Sequence, residues 1–260
     1  MSAAGPRLSA PSPRVATERL AELIRESDTV VALTGAGISV PSGIPDFRSP
    51  GTGLWAKVDP MAVAHIDVLR TDPARFWHFY SERFSTLEDR HPNGAHRALA
   101  ELERRGHLDA VITQNIDGLH RQAGTRELVE VHGSIEHSSC PACRRRFPGV
   151  EVRQRLRADA HGVPRCDCSA AIRPDVILFG ELLPVAALRR AQELAIGADL
   201  LLCVGSSLEV YPVAQLPLIT RQAGGQVAIV THGLTPVDEH AVVRLTGDVK
   251  DELEAVLAAV

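Results

Sequence analysis

Short apolar runs that alternate with helical stretches constrain the fold of this chain more than any other feature. Apolar runs of four to six residues are typical of strands buried on both faces of a parallel sheet. The sequence therefore predicts an α/β fold in which helices cover both faces of a parallel sheet. The predicted strands are TVVAL at 29–33, LDAVIT at 108–113, ELVEV at 127–131, DVIL at 175–178, DLLLCV at 199–204 and QVAIV at 226–230, and the predicted helices lie at 15–26, 94–105, 185–195, 212–223 and 248–259.

Two stretches do not fit the alternation. Residues 50–92 are helical in pattern but rich in aromatic side chains, and residues 136–171 hold four of the five cysteines. We interpret both as insertions that together form a smaller unit, with a ligand cleft between the units at the carboxyl ends of the strands. The predicted boundaries are a disordered lead at 1–13, the sheet domain at 14–49, 93–135 and 172–260, and insertions at 50–92 and 136–171.

Charge and hydropathy exclude several classes of protein. The net charge is -4 and the pI about 6.3, so no broad basic face for nucleic acid is expected. No apolar stretch reaches the length of a membrane span, and the N-terminal residues lack the apolar core of a signal peptide. We expect a monomeric, cytoplasmic protein that binds neither nucleic acid nor membrane.

A glycine pair directly after the first predicted strand indicates a nucleotide site. Gly35 and Gly37 let the backbone turn tightly and approach a phosphate. The dehydrogenase fingerprint needs a third glycine at the position of Val40, so hydride transfer is disfavoured. The alternative is a plain tight turn between strand and helix. The following SGIPDFRS predicts an irregular flap, whose Arg48 can pair with pyrophosphate and whose Phe47 can screen a sugar carbon from water.

Polar side chains follow the next two predicted strands. Gln114, Asn115 and Asp117 stand at a strand's carboxyl end, where ribose hydroxyls and a carboxamide need partners. An Asx-type loop that satisfies its own backbone explains the same residues equally well. His132 ends the following strand beside a glycine and is a candidate general base.

Several motifs in this order resemble those of the sirtuin family, the NAD-dependent protein lysine deacylases. The resemblance covers essentially all of residues 15–258 and implies a Rossmann-like parallel-sheet domain with a smaller zinc-binding and helical domain. It also implies that NAD is consumed as a co-substrate. The motifs are GAGIS, SGIPDFRS, TQNID, the histidine of VHG, RPDVILFGE at 173–181 and GSSLEVYP at 205–212.

The resemblance implies an NAD-binding set. Its members are the phosphate loop (Gly35, Ala36, Gly37, Ser39), the flap (Asp46, Phe47, Arg48), the polar loop (Gln114, Asn115, Ile116, Asp117), the ribose loop (Gly205, Ser206, Ser207), and Thr231 and Val249. Two members depart from the family pattern. Thr231 stands where asparagine is common, and Ser206 where threonine is common, which keeps the hydroxyl.

The resemblance also implies how substrate is held and converted. It places His132 as the catalytic base and Asn115 beside it among the catalytic residues. An acylated lysine of a protein substrate is implied to bind along a segment that adds the peptide as a strand, through Val176, Phe179, Gly180 and Glu181. Nicotinamide leaves, the acyl oxygen attacks the ribose, and the acyl group departs on ADP-ribose.

Two close cysteine pairs predict a structural zinc site. Cys140 and Cys143 have a two-residue spacing, whereas one residue separates Cys166 from Cys168. Four thiolates suit tetrahedral zinc, although the shortened second pair needs a tight loop. Buried or free thiols are the alternative. The fifth cysteine, Cys203, lies in an apolar strand and is predicted to be a core residue.

A tyrosine and an arginine suggest which acyl group is removed. Tyr80 and Arg83 stand three apart on a predicted helix and therefore on one face. The pair resembles the Y-x-x-R motif of desuccinylase-type sirtuins, and Ala64 matches a small residue that widens their acyl pocket. A solvated helix face is the alternative. The resemblance thus favours succinyl- and malonyl-lysine as substrates beside acetyl-lysine.

Two readings from other classes stay open at this point. A mono-ADP-ribosyltransferase would use the same NAD site on a protein nucleophile. A non-catalytic NAD-sensing zinc adaptor would keep its function without His132.

Overall fold

A six-stranded parallel sheet organises the larger part of the molecule, in the strand order β3-β2-β1-β7-β8-β9. The computed structural model describes residues 13–49, 51, 53–56 and 58–260. The strands are β1 Val30–Thr34, β2 Ala110–Thr113, β3 Leu128–Glu130, β4 Gly133–Ser139, β5 Arg146–Pro148, β6 Arg173–Val176, β7 Leu200–Val204, β8 Gln226–Val230 and β9 Ala241–Leu245. The α-helices are α1 Pro13–Glu26, α2 Pro60–Val63, α3 Ile66–Thr71, α4 Pro73–Glu88, α5 Gly94–Arg105, α6 Leu119–Ala123, α7 Gly149–Ala158, α8 Val185–Gly197, α9 Leu216–Gln222 and α10 Val249–Ala259.

Alternating side chains of the central strands supply two separate cores. Val30 and Ala32 of β1 pack into a cluster with α1, α5 and α10, while Val31 and Leu33 pack into another with α8 and α9. All five residues of β1 are buried, as are all five of β7. The prediction of a parallel sheet covered on both faces is confirmed.

Local signals fix the ends of the helix that supports the site. Asn93 precedes α5, and its side-chain oxygen accepts a hydrogen bond from the Ala95 amide at 2.8 Å. Gly106 ends the helix in the left-handed region with φ 80°. The predicted helix at 94–105 therefore matches the structure residue for residue.

A three-stranded antiparallel sheet, in the order β5-β4-β6, forms the second unit with α2–α4 and α7. Its core includes Phe76 and Trp77 from α4, and the Trp77 indole donates to the Ile172 carbonyl at 2.9 Å. The prediction that DVIL at 175–178 belongs to the parallel sheet is wrong, because β6 pairs antiparallel with β4. A buried apolar run does not by itself say which sheet it joins.

The parallel sheet has a strand that the sequence analysis did not predict. Strand β9 pairs with β8 at the edge of the sheet, and only two of its five residues are buried, whereas all five of β1 are. The boundaries predicted for the two units stay a prediction. The predicted disordered lead falls, except for Pro13, outside the described residues. Among the described residues, no helix has the length and apolar character that a bilayer span requires.

Candidate active site

The carboxyl ends of β1, β2, β7 and β8 open into one large cavity, which the second unit closes from the other side. Its volume is about 1400 Å³, which is ample for a dinucleotide together with part of a peptide. All residues predicted to bind NAD or substrate, and the predicted base, line this cavity. They are Gly35, Ala36, Gly37, Ser39, Asp46, Phe47, Arg48, Ala64, Tyr80, Arg83, Gln114, Asn115, Ile116, Asp117, His132, Val176, Phe179, Gly180, Glu181, Gly205, Ser206, Ser207, Thr231 and Val249.

Close packing against a neighbouring loop leaves no room for a side chain at either glycine of the phosphate loop. The Gly37 amide donates to the Gly205 carbonyl at 2.7 Å, and the Gly35 amide donates to Val204 at 3.0 Å. A Cβ atom on Gly37 would lie 2.7 Å from the Gly205 oxygen, and one on Gly35 2.9 Å from it. Gly205 itself has φ 58°. The plain tight turn is therefore an incomplete explanation, because the glycines let the phosphate loop and the ribose loop lie against each other.

The phosphate loop continues into the flap without forming an α-helix. Ala36–Ser42 is a 3₁₀ helix, and residues 43–49 form neither helix nor strand, as predicted. The Asp46 carboxylate accepts from the backbone amides of Arg48 at 3.1 Å and Ser49 at 2.8 Å. The Arg48 guanidinium lies 3.8 Å from the Glu209 carboxylate at the exposed rim. Asp46 therefore holds the turn that presents Phe47 and Arg48 to the cavity.

Side chains of the polar loop bind neighbouring loops and line the cavity as well. The Gln114 amide donates to the Ser206 hydroxyl at 2.9 Å, and the Asn115 amide to the Gly35 carbonyl at 3.1 Å. Asp117 accepts from the Ser39 hydroxyl at 2.7 Å and, within its own loop, from an amide at 3.0 Å. Burial raises the pKa of Asp117. The ligand-binding interpretation and the Asx-loop interpretation therefore both apply, since Asp117 accepts a hydrogen bond within its own loop and also faces the cavity.

The histidine predicted as general base has a defined tautomer. Nδ1 of His132 lies 2.9 Å from the Gln114 carbonyl oxygen, which can only accept, so Nδ1 carries the proton. Nε2 is then the basic nitrogen. Burial lowers the pKa of His132, and the hydrogen bond to Gln114 opposes the shift only in part. The imidazole is therefore neutral at neutral pH and able to take a proton.

The residues predicted to recognise the acyl group lie together at one end of the cavity. Tyr80 is 7% exposed and stacks on Phe76 with ring centroids 4.4 Å apart. Arg83 lies over the Phe47 ring of the flap at 4.8 Å and makes no ion pair with a described carboxylate. Ala64 lines the same cavity. The solvated-face alternative does not hold, because Tyr80 is buried and Arg83 is partly buried in the cavity wall.

The segment predicted to receive the peptide is bound along its length by neighbours. The Ile177 amide donates to His132 at 2.9 Å, and the Phe179 amide to Ala64 at 3.1 Å. Glu181 forms two hydrogen bonds of 2.7 and 2.8 Å with Arg173, so its carboxylate already has a partner within the chain. Arg173 also donates to the Val176 carbonyl at 2.9 Å. The Arg173–Glu181 pair therefore shapes this segment.

Two aromatic residues that lie beside Tyr80 in the cavity were not singled out by the sequence. Trp55 stacks on Phe47 with centroids 5.2 Å apart and on Phe79 at 6.0 Å. Both Trp55 and Phe79 line the cavity beside Tyr80. The aromatic enrichment of residues 50–92 was the available signal, but it did not specify which rings face the cleft.

A buried pair of histidines lies behind the phosphate loop and the polar loop. The rings of His96 and His120 are 4.9 Å apart, and His120 Nε2 lies 2.9 Å from the Thr34 hydroxyl. His96 Nε2 lies 3.4 Å from Ser39 Oγ. Burial lowers the pKa of His96 to about 4 and that of His120 to about 3. Both rings are therefore neutral in the folded protein near neutral pH.

Four cysteine thiols of the second unit converge on one point. Sγ of Cys140 lies 3.5 Å from Sγ of Cys168, and Sγ of Cys143 lies 3.5 Å from Sγ of Cys166, with all four within 4.8 Å of one another. Tetrahedral zinc with bonds of about 2.3 Å needs sulfur separations of about 3.8 Å. The tight second pair is possible because Ser169 adopts φ 72° and its amide donates to Cys166. The cluster therefore fits one structural zinc ion, and the fifth cysteine, Cys203, is a buried core residue as predicted.

Comparison with known proteins agrees with this geometry. Residues 35–212 match the model of the Sir2 family. The chain is 46% identical over 224 residues to the NAD-dependent protein deacetylase of Sulfolobus acidocaldarius, which covers 86% of this chain and 87% of the relative. It is 44% identical over 229 residues to that of Thermotoga maritima, covering 88% and 92%.

Solved structures of high similarity contain ligands that this cavity can be compared with. A Sir2 protein described with a p53 peptide and NAD+ superposes with a TM-score of 0.84 at 41% identity, covering 92% of this chain and 96% of that chain. A Sir2 histidine variant described with deacetylated p53 peptide and 3'-O-acetyl ADP-ribose gives a TM-score of 0.89 at 42% identity, covering 93% and 97%.

Proposed function

The chain belongs to the Sir2 family, the sirtuins, and on that premise we propose that it is an NAD-dependent protein lysine deacetylase that transfers the acyl group to ADP-ribose. One observation carries the proposal most directly. A neutral histidine with its basic nitrogen free shares one cavity with the phosphate loop, the flap and the polar loop. Relatives at 46% and 44% identity are named NAD-dependent protein deacetylases.

The residues of the cavity are suited to hold NAD. We assign the phosphates to the phosphate loop, whose glycines allow a ligand to approach the backbone closely, and the adenosine ribose to Ser206 and Ser207. Asn115 and Asp117 are assigned to the nicotinamide ribose and carboxamide. The bound NAD supplies ADP-ribose as the acyl acceptor when nicotinamide departs. The flap, with Phe47 facing the cavity, keeps water from that reaction.

His132 is the general base in this proposal. Its Nδ1 proton is fixed on the Gln114 carbonyl, so Nε2 is directed to accept a proton from a ribose hydroxyl. That hydroxyl would then attack the acyl carbon, the carbon–nitrogen bond to lysine would break with the proton passing to the amine, and one water would be consumed to leave a hydroxyl at the ribose carbon that nicotinamide left. Because burial lowers the pKa of His132, the imidazole stays unprotonated under the conditions in which it must act.

The acyl-lysine of the protein substrate is assigned to the segment 176–181. The Arg173–Glu181 pair holds this segment in shape, and the antiparallel sheet continues from it. Backbone recognition of this kind supplies affinity without demanding a particular peptide sequence. The zinc ion at Cys140, Cys143, Cys166 and Cys168 is assigned a structural role, since all four protein ligands are thiolates.

A finer proposal concerns the acyl group, which we infer to include carboxylated chains such as succinyl and malonyl. The supporting observation is a partly buried guanidinium that makes no close ion pair or hydrogen bond with a described residue and lines the cavity beside Tyr80. The Asp117 carboxylate acts on it only at longer range, so a ligand that brings a carboxylate into contact is favoured there. Ala64 lines the same cavity and leaves room for a longer chain than acetyl.

Replacing the proposed base tests the deacetylase proposal. With an acetyl-lysine peptide and NAD, we expect His132→Ala to lower kcat by about 10²- to 10⁴-fold. His78→Ala is the matched control, because His78 is exposed on α4 and outside the cavity. An adaptor protein without catalysis predicts no turnover in the wild type and no effect of the substitution. Full activity in a folded His132→Ala protein would rule out the assignment.

A further inference from the structure

We infer that Arg83 is also a positioning residue for the flap, so that the acyl pocket and the nicotinamide side of the cavity are linked through one guanidinium. The inference rests on the proposed deacylase function and on the assignment of Arg83 to the acyl carboxylate. It goes further because it gives Arg83 a role with every substrate, including those without a carboxylate.

The contact between Arg83 and the flap is direct. The guanidinium carbon lies 4.8 Å from the centroid of the Phe47 ring, within the range of a cation–π contact. Such a contact is strongest where water is excluded, and Arg83 is partly buried in the wall of the cavity. The flap is thereby tied to helix α4, on which Arg83 and Tyr80 lie.

Backbone hydrogen bonds and a ring contact connect the flap to Leu54 and Trp55, which follow it. The Leu54 amide donates to the Asp46 carbonyl at 2.9 Å, and the Trp55 amide to the Phe47 carbonyl at 3.0 Å. The Trp55 ring also stacks on Phe47, with centroids 5.2 Å apart. Freeing Phe47 should therefore weaken the ordering of residues 46–49 and 53–55.

The Arg83 guanidinium keeps N–H groups free for a ligand. Its central carbon lies over the Phe47 ring, and its N–H groups donate to none of the described residues. A carboxylate can therefore bind at the edge without displacing the ring. It would fix the guanidinium in the orientation that holds Phe47, so a carboxylated acyl group should order the flap more than an acetyl group does. By thermodynamic reciprocity, loss of the Phe47 ring should weaken the binding of a succinyl-lysine peptide more than that of an acetyl-lysine peptide.

Hydrogen exchange of the flap tests this inference without turnover. In the ligand-free protein, we expect Arg83→Met to speed exchange of the Gly53, Leu54 and Trp55 amides by about 2- to 30-fold, the range that loss of one cation–π contact allows. Arg75→Met is the matched control, because Arg75 is exposed on the same helix and its side chain makes no hydrogen bond or ion pair with a described residue. Tyr80→Phe removes a hydroxyl but leaves the Arg83 contact, so it should behave as the wild type.

The global fold is checked in the same experiment. Amides of β1 should exchange equally in all variants, and Arg83→Lys, which keeps the charge but lacks the planar face, should give an intermediate effect at the flap. In the wild type without NAD, a saturating succinyl-lysine peptide should protect the flap more than a saturating acetyl-lysine peptide.

Two results would overturn the inference. Flap amides that exchange in Arg83→Met as in the wild type would remove the positioning role. Equal protection of the flap amides by the succinyl-lysine and acetyl-lysine peptides would show that the acyl carboxylate does not order the flap. The exchange experiment measures no turnover. A protein that fails to deacylate would therefore contradict the proposed function without changing what the exchange rates say about Arg83 and the flap.

Discussion

Arg83 and Tyr80 are proposed to donate hydrogen bonds to the carboxylate of the acyl group. Removing these donors should change the preference among acyl groups more than it changes the rate of deacetylation. Arg83 and Tyr80 line one end of the cavity, and neither side chain has a hydrogen-bond partner among the described residues. A succinyl or malonyl carboxylate would supply that partner. An acetyl group has no atom that can reach it.

The size of the effect follows from the burial of the site. A hydrogen bond to a charged group contributes about 1.5–3 kcal/mol, and about 1.4 kcal/mol corresponds to a factor of ten. Arg83→Met should therefore lower the ratio of kcat/KM for succinyl- over acetyl-lysine by about 10- to 150-fold. Tyr80→Phe removes one neutral donor and should lower it by about tenfold.

The assay compares acetyl-, malonyl- and succinyl-lysine versions of one peptide at saturating NAD. The ratio is the readout because Arg83 also contacts the flap, so its loss can slow all substrates together. Arg75→Met, on an exposed position of the same helix, should leave the ratio unchanged. Equal slowing of acetyl and succinyl substrates by both Tyr80→Phe and Arg83→Met would refute carboxylate recognition.

Further predictions concern pH and metal. Because burial lowers the pKa of His132, the acid limb of kcat/KM should lie below the usual histidine value near pH 6.5, and a midpoint above it would contradict the neutral base. The pKa values in the folded protein, about 4 for His96 and about 3 for His120, lie below those of the unfolded chain. The contribution of the two histidines to the free energy of unfolding is therefore complete above about pH 6.5 and is lost as the pH falls, because the unfolded chain then binds more protons. Urea unfolding should show this loss, and His120→Gln should make the pH dependence shallower; an unchanged slope would argue against a buried neutral pair. Chelation of zinc should lower the melting temperature and abolish activity, whereas an active, folded, metal-free protein would exclude the structural role.

The sequence predicted the parallel sheet because its strands are buried on both faces. The runs in β1 and β7 are apolar on both faces, which is typical of a strand covered by helices on each side. The ends of helix α5 could be predicted because Asn93 caps its start and Gly106 ends it. DVIL at 175–178 has a similar apolar character, yet it joins the antiparallel sheet. Pairing is decided by contacts with β4, which lies far from it in sequence, and no local pattern contains that information.

The predicted site residues line one cavity, but the structural reasons for several of them could not be predicted. The sequence predicts that the glycines of the phosphate loop serve a tight turn and a close approach to phosphate, while their tightest constraint is the Gly205 backbone, which lies far away in sequence. Glu181 was assigned to substrate, and its carboxylate is bound by Arg173. The Arg83–Phe47 contact joins an insertion to the flap and appears only when both are folded.

A mass balance of one turnover tests the central proposal most directly. An acetyl-lysine peptide, NAD and the protein are incubated together, and peptide, nicotinamide and nucleotide products are quantified by mass spectrometry. A deacetylase of the proposed kind yields free lysine peptide, nicotinamide and acetyl-ADP-ribose in equal amounts, and no product without NAD. A stable ADP-ribose adduct on the protein or peptide, with the acetyl group still on lysine, would contradict it and identify a mono-ADP-ribosyltransferase instead.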